Sequence, residues 1–188
     1  LLRLPVRRRR HGHDVGAGIA PGGEDDGIVS FASSGNQGSC GSMASPACLS
    51  SVTAVAAVYQ EDLGAEPDSG TYQDAFGPSF GDCADGTTDA DRVTCFSNQS
   101  ACNRLAAPGF QIGAPEVGGG VVSYTGTSQA SPHVAGVAAL ILEAAPSLGP
   151  DAIVDLLEDT GASTDDPCAV TPAPVRIGRD RRGRNKGR

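Results

Sequence analysis

From Gly126 to Gly136 the chain reads Gly-Thr-Ser-Gln-Ala-Ser-Pro-His-Val-Ala-Gly, a small polar turn leading into an apolar run, Val134 to Leu142. The pattern predicts a helix that opens beside Ser128. At a helix start the backbone N–H groups lack carbonyl partners and the helix dipole is positive, so negative charge developing on an oxygen is stabilised there. Ser128 is therefore a candidate nucleophile for acyl transfer, with small neighbours that leave room for a substrate. A lone serine in such a place is ordinarily only an N-cap. It is the whole segment that favours chemistry. His133 lies five residues further along the same helix and would point away from Ser128, so it reads as structural.

A second motif, Ala32-Ser33-Ser34-Gly35-Asn36, ends an apolar run in a tight turn. By itself Ser-Gly-Asn is a turn and nothing more. Taken with the serine segment, it resembles the subtilisin family of serine proteases. The family's nucleophile signature, Gly-Thr-Ser-x-Ala-x-Pro-His-Val-Ala-Gly, is matched at every specified position, with Gln129 where subtilisins often carry methionine. Pro46-Ala47-Cys48 ahead of an apolar run and Ala107-Pro108-Gly109 ahead of the serine segment follow the family's order of landmarks. The resemblance covers residues 25–165.

The resemblance implies a subtilisin-like, three-layer α/β fold with a mostly parallel sheet, incomplete at the N-terminal side. It also implies a serine endopeptidase that hydrolyses protein or peptide substrates through an acyl-enzyme on Ser128. The Asn36 amide and the Ser128 backbone N–H would form the oxyanion hole, and His133 would be a structural member of the motif. Neither a metal nor an organic cofactor enters that chemistry, although many relatives carry a structural calcium ion.

The family's aspartate and histidine are expected earlier in the domain, separated from the oxyanion asparagine by several strands and helices. Here His11-Gly12-His13-Asp14 offers His11 as a candidate base with Asp14 as its orienting acid. The residues around His11 depart from the family's histidine motif. So short a separation from Asn36 also leaves out the strands that would hold an imidazole within about 3 Å of Ser128. The expectation is that histidine and aspartate lie outside this chain, in the N-terminal part of its own domain. The alternative is a catalytically inactive remnant that binds peptides or proteins.

The elements that must position these groups are legible in part. Gly27 to Ser33 and Val52 to Val58 read as strands with continuous apolar character, the mark of a sheet covered on both faces. Val121 to Tyr124 predicts a short strand entering the serine turn. The run Val134 to Leu142 is apolar on every side, which predicts a fully buried helix. A second helix is predicted over Pro150 to Asp159, with proline and aspartate in its first turn and Gly161 just past its end. Its apolar face is Ile153, Val154, Leu156 and Leu157.

The 188 residues carry a net charge of −8, yet apart from Arg92 and Arg104 every basic residue lies near one end or the other. The acidic middle would repel nucleic acid. Both ends are rich in Arg, Gly and Pro, as out-of-frame translation of GC-rich DNA tends to be. The expected division is a basic, Gly-rich segment over 1–24, the domain over 25–165 and a disordered basic tail over 166–188. No apolar run is long enough to span a membrane.

Cys40, Cys48, Cys83, Cys95, Cys102 and Cys168 sit in Gly-, Ser- and Asp-rich surroundings and lack zinc-ligand spacing, which favours disulfides and a secreted protein. Short-range pairs, Cys40 with Cys48 and Cys83 with Cys95, are expected. Asp82, Asp85, Asp89 and Asp91 are candidate oxygen ligands for structural calcium, without Ca-loop spacing; a solvated acidic loop is the preferred reading. Asn98-Gln99-Ser100 fits a glycosylation pattern and is assigned no role.

Overall fold

The structure is a computed structural model, and it describes residues 27–63, 71–72, 83–100, 103–164, 168 and 175–176. Its centre is a parallel sheet of β1 (Phe31–Ser33), β2 (Thr53–Val58) and β5 (Asn103–Pro108), in the order β1-β2-β5. Two strand pairs lie outside it: β3 (Thr71–Tyr72) with β4 (Cys83–Ala84), and the hairpin of β6 (Ile112–Pro115) with β7 (Val121–Tyr124). Helices α1 (Thr127–Ala144) and α2 (Pro150–Thr160) follow, then the antiparallel pair β8 (Ser163–Thr164) and β9 (Val175–Arg176).

β2 is buried along its whole length, and its side chains alternate between two apolar clusters. Val55 and Ala57, with Tyr59 just beyond, pack with Phe96, Leu105, Ala107, Phe110 and the α1 residues Ala130 and Val134. Ala56 and Val58 pack on the other face with Val93 and Ala106. A strand covered on both sides has no reason to alternate polar and apolar residues, which explains the run Val52 to Val58. The expected α/β architecture with a parallel sheet is thus present. β1 is shorter than its apolar run suggests and starts at Phe31 rather than Gly27.

Helix α1 lies across the sheet and departs from the sequence expectation. Thr127, Ala130, Val134 and Ala138 are buried, but Val137 is 47% and Leu140 64% exposed. The sheet buries a single stripe of the helix, and among the described residues nothing covers the opposite side. α2 ends one residue later than expected and buries Ile153 and Val154, whereas Leu156, expected on the apolar face, is exposed. Arg104 on β5 donates to Asp155 and Glu158 of α2, which fastens that helix to the sheet edge.

The expected Cys83–Cys95 disulfide forms, but Cys40 pairs with Cys168 and not with Cys48. Cys48 is exposed and unbridged. Cys40 is held by an isolated parallel bridge to Gln99, reinforced by the Gly41 N–H donating to the Gln99 carbonyl, so its position follows segment 94–99 rather than its own loop. The Cys40–Cys168 bond and the pairing of β8 with β9 tie Cys168 and Val175–Arg176, residues of the expected tail, to the body. Among the described residues, no helix is long and apolar enough to cross a membrane.

Candidate active site

The site lies where the parallel sheet meets the start of α1. The seat of the serine turn is glycine on glycine. Gly109, just past β5, donates to the Val58 carbonyl, and its own carbonyl accepts from the Gly126 N–H at 2.8 Å. A Cβ on Gly109 would fall 2.5 Å from the Ala57 Cβ and 2.8 Å from the Gly126 carbonyl oxygen, so only glycine allows this approach. The landmark Ala107-Pro108-Gly109 is therefore the step that sets the serine turn on the sheet.

Gly126 is the N-cap of α1 with φ 155°, followed by buried Thr127 and exposed Ser128. The Ser128 N–H belongs to the first turn, whose donors find no carbonyl within the helix. The dipole of this 18-residue helix adds positive potential at the same point.

Asn36 comes from the loop after β1 and meets Thr127. Its Oδ1 accepts from the Thr127 N–H at 2.9 Å and from the Thr127 hydroxyl at 2.8 Å. The same hydroxyl accepts from the Gly35 N–H at 3.2 Å. With Oδ1 committed to Thr127, the amide orientation is set and Nδ2 lies beside Gly126, where a Cβ would come within 3.0 Å of it. The structure thus brings together the two residues singled out in the sequence, the Asn36 amide and the Ser128 turn.

Among the described residues it brings no base to them. His133, among the described residues the only histidine, is exposed on α1 and its Nδ1–H donates to the Gln129 carbonyl at 2.8 Å. His11 and Asp14 lie outside the described residues. Among the described residues the geometry brings a hydroxyl and N–H donors to one place, with no group beside them that could remove the serine proton.

Of the acidic residues considered for calcium, Asp82 is outside the described residues. Asp85 is committed elsewhere: its Oδ2 accepts from the Tyr59 hydroxyl and the Cys95 N–H, each at 2.7 Å, and Arg92 lies 3.4 Å from its Oδ1. Burial, followed by the Asp85 hydrogen bond, pushes the Tyr59 phenol well above its usual range. Asp89 and Asp91 are exposed, and among the described residues no three His, Cys, Asp or Glu side chains gather as metal ligands. The described ones among them, Asp85, Asp89 and Asp91, are not gathered as ligands of one calcium ion.

Two residues of the site escape a reading by motif. Thr127 lies inside the serine signature, but nothing in the signature shows that its hydroxyl bridges to Asn36. Asn98, considered only as a glycosylation acceptor, is 3% exposed and hydrogen-bonded into the loop that carries Asn36. A buried, fully engaged amide cannot carry a glycan in the folded chain.

Comparison with known proteins agrees with this geometry. The chain matches the subtilase family over residues 10–181. It is 31% identical over 159 residues to Subtilisin-like protease 7 of Arthroderma gypseum, which covers 81% of this chain and 32% of that protein. Over 82 residues it is 43% identical to Alkaline serine exoprotease A of Vibrio alginolyticus, covering 42% of this chain and 15% of that protein. A solved cold adapted subtilisin-like serine proteinase superposes with a TM-score of 0.55 at 29% identity, over 77% of this chain and 43% of its own. The Prenylagaramide maturation protease PagA shares the fold, with a TM-score of 0.56 over 82% of this chain and 48% of its own. The chain therefore spans a third or less of these relatives and under half of the solved structures.

Proposed function

The chain belongs to the subtilase family of serine peptidases, and on that premise we propose that its chemistry is endopeptidase hydrolysis of protein or peptide substrates through Ser128. The Ser128 Oγ attacks the substrate carbonyl carbon as its proton passes to a base. The carbonyl oxygen takes up the electron pair, and Asn36 Nδ2 and the Ser128 N–H donate to it. Collapse of this intermediate breaks the C–N bond, the amine leaves with the proton, and water hydrolyses the acyl-enzyme. Nucleophile, donors and base are all protein groups, so the reaction as proposed needs no cofactor.

The observation that carries this reading is the double hydrogen bond from Thr127 to Asn36 Oδ1, which turns the donor side of the amide towards the serine turn. The base and its orienting acid are assigned to the remainder of a subtilase domain, since the chain spans 43% of a solved relative. Disulfides Cys40–Cys168 and Cys83–Cys95 support an extracellular setting.

The test is a fluorophosphonate probe with mass-spectrometric mapping, using Ser128→Ala as control. Labelling of Ser128 that the control abolishes supports the hydrolase reading and shows that a base is present, with His11 the first to mutate. A second reading is a peptide-binding module without catalysis, favoured by the finding that, among the described residues, the only histidine is His133, which faces the Gln129 carbonyl and not Ser128. A folded chain that binds peptides and stays unlabelled would establish it.

A further inference from the structure

Asn36 is held from two directions, and the second does not involve the serine segment. Asn98 is buried, and its Oδ1 accepts from the backbone N–H groups of both Gln37 and Ser39 at 3.0 Å each. Its Nδ2 donates to Gln37 Oε1 at 2.7 Å, and its own N–H donates to the Gly35 carbonyl at 2.9 Å. Asn98 thus grips the backbone immediately before and immediately after Asn36. The approach is so close that a Cβ on Gly35 would lie 2.3 Å from Asn98 Nδ2.

Asn98 is itself firmly based. The neighbouring Ser97 Oγ accepts from the Ala57 N–H on β2 at 2.8 Å, and the Thr94 N–H donates to the Ala57 carbonyl at 3.0 Å. The Gly38 N–H donates to the Phe96 carbonyl at 2.8 Å, and the Gln99 N–H to the Ser39 carbonyl at 2.7 Å. The central strand therefore fixes segment 94–99, which in turn fixes the loop carrying Asn36.

We propose that Asn98 is a positioning residue for the Asn36 amide, transmitting the geometry of β2 to the oxyanion donor. The proposal rests on the reading of Asn36 as that donor. A hydrogen-bond donor displaced by about 1 Å can lose about 10²-fold in rate, so a residue that never touches substrate can govern the reaction through the loop it holds.

The experiment uses the full chain with isotope-labelled asparagine. Hydrogen exchange at the Gln37 and Ser39 amides and nitrogen relaxation of the Asn36 side chain are read by NMR in wild type, Asn98→Ala and Asn98→Asp. Asn98→Ala should speed exchange at both amides and loosen the Asn36 side chain. Asn98→Asp keeps the acceptor and should restore order to both. An Asn36 side chain equally ordered in wild type and Asn98→Ala overturns the proposal. If Asn98→Ala does not fold, the near-isosteric Asn98→Leu, which also lacks the grip, is read in its place, and an Asn36 side chain as ordered there as in wild type overturns the proposal.

A kinetic arm compares fluorophosphonate labelling of Ser128 in wild type, Asn98→Ala, Asn36→Ala and the double variant. A positioning role slows labelling by about 10²-fold in the wild-type background and adds no further loss once Asn36 is gone. Equal slowing in both backgrounds marks a merely structural residue and overturns the proposal. If wild type stays unlabelled while the NMR arm behaves as expected, the positioning role stands and the catalytic reading fails.

Discussion

Asn36 and Thr127 lie 91 residues apart and are joined twice, through the threonine N–H and its hydroxyl, on the single oxygen Asn36 Oδ1. Thr127 is 1% exposed, so these bonds do not compete with water. The consequence is directional. An amide whose oxygen is fixed has its nitrogen fixed as well, and the donor side of Asn36 is set by the residue that precedes Ser128.

Thr127→Val keeps the shape of the side chain and removes the hydroxyl that bonds both Asn36 and Gly35. Leaving buried partners unsatisfied costs about 1–3 kcal/mol, and denaturant unfolding should show a loss of that size. Thr127→Ser should recover most of it. Unchanged stability in the valine variant would remove the hydroxyl from this account.

Two glycines should respond in opposite senses. Gly109→Ala drives a methyl group against the Ala57 Cβ and the Gly126 carbonyl, and overpacking of this kind costs about 1–3 kcal/mol. Gly136 lies inside α1, where an added Cβ meets nothing within 4 Å. Gly136→Ala should stabilise by about 0.5–1 kcal/mol through the helix backbone. Thermal melts of the two variants check both signs.

The Tyr59 phenol is shifted upwards in the fold by burial and by its hydrogen bond to Asp85. A group whose pKa is raised on folding lends its stability below its unfolded pKa, here about 10, and loses it as pH rises further. Stability should therefore fall above about pH 10, and Tyr59→Phe should flatten that alkaline limb. Equal alkaline slopes in both proteins would show that another group controls it.

Peptide mapping without reduction should recover Cys40 with Cys168 and Cys83 with Cys95, with Cys48 open to alkylation. The Cys40–Cys168 bond spans 128 positions, a loop length for which chain entropy assigns about 4–5 kcal/mol. Cys40→Ala should lower the melting temperature by more than Cys83→Ala, whose bond spans 12 positions. A peptide joining Cys40 to Cys48 would contradict the arrangement.

The sequence by itself determined what depends on near neighbours. The small-residue turn into α1 placed Ser128 at a helix start, the continuous apolar run identified β2 as covered on both faces, and Pro150 with Asp151 marked the start of α2. These follow from backbone preference and periodicity, which act over a few residues. The Cys83–Cys95 pair was legible for the same reason.

Only the tertiary structure decided which distant groups meet. Folding brings Asn98 against Gln37 across 61 positions and Thr127 against Asn36 across 91, and pairs Cys40 with Cys168 instead of Cys48. Composition marked α1 as apolar all round, but contact with the sheet chose one stripe to bury and left Val137 and Leu140 exposed. A side chain's hydrogen-bonding partners are set by the closure of long loops and the packing of strands. Those contacts exist only once the whole sheet has formed, and no local pattern records them.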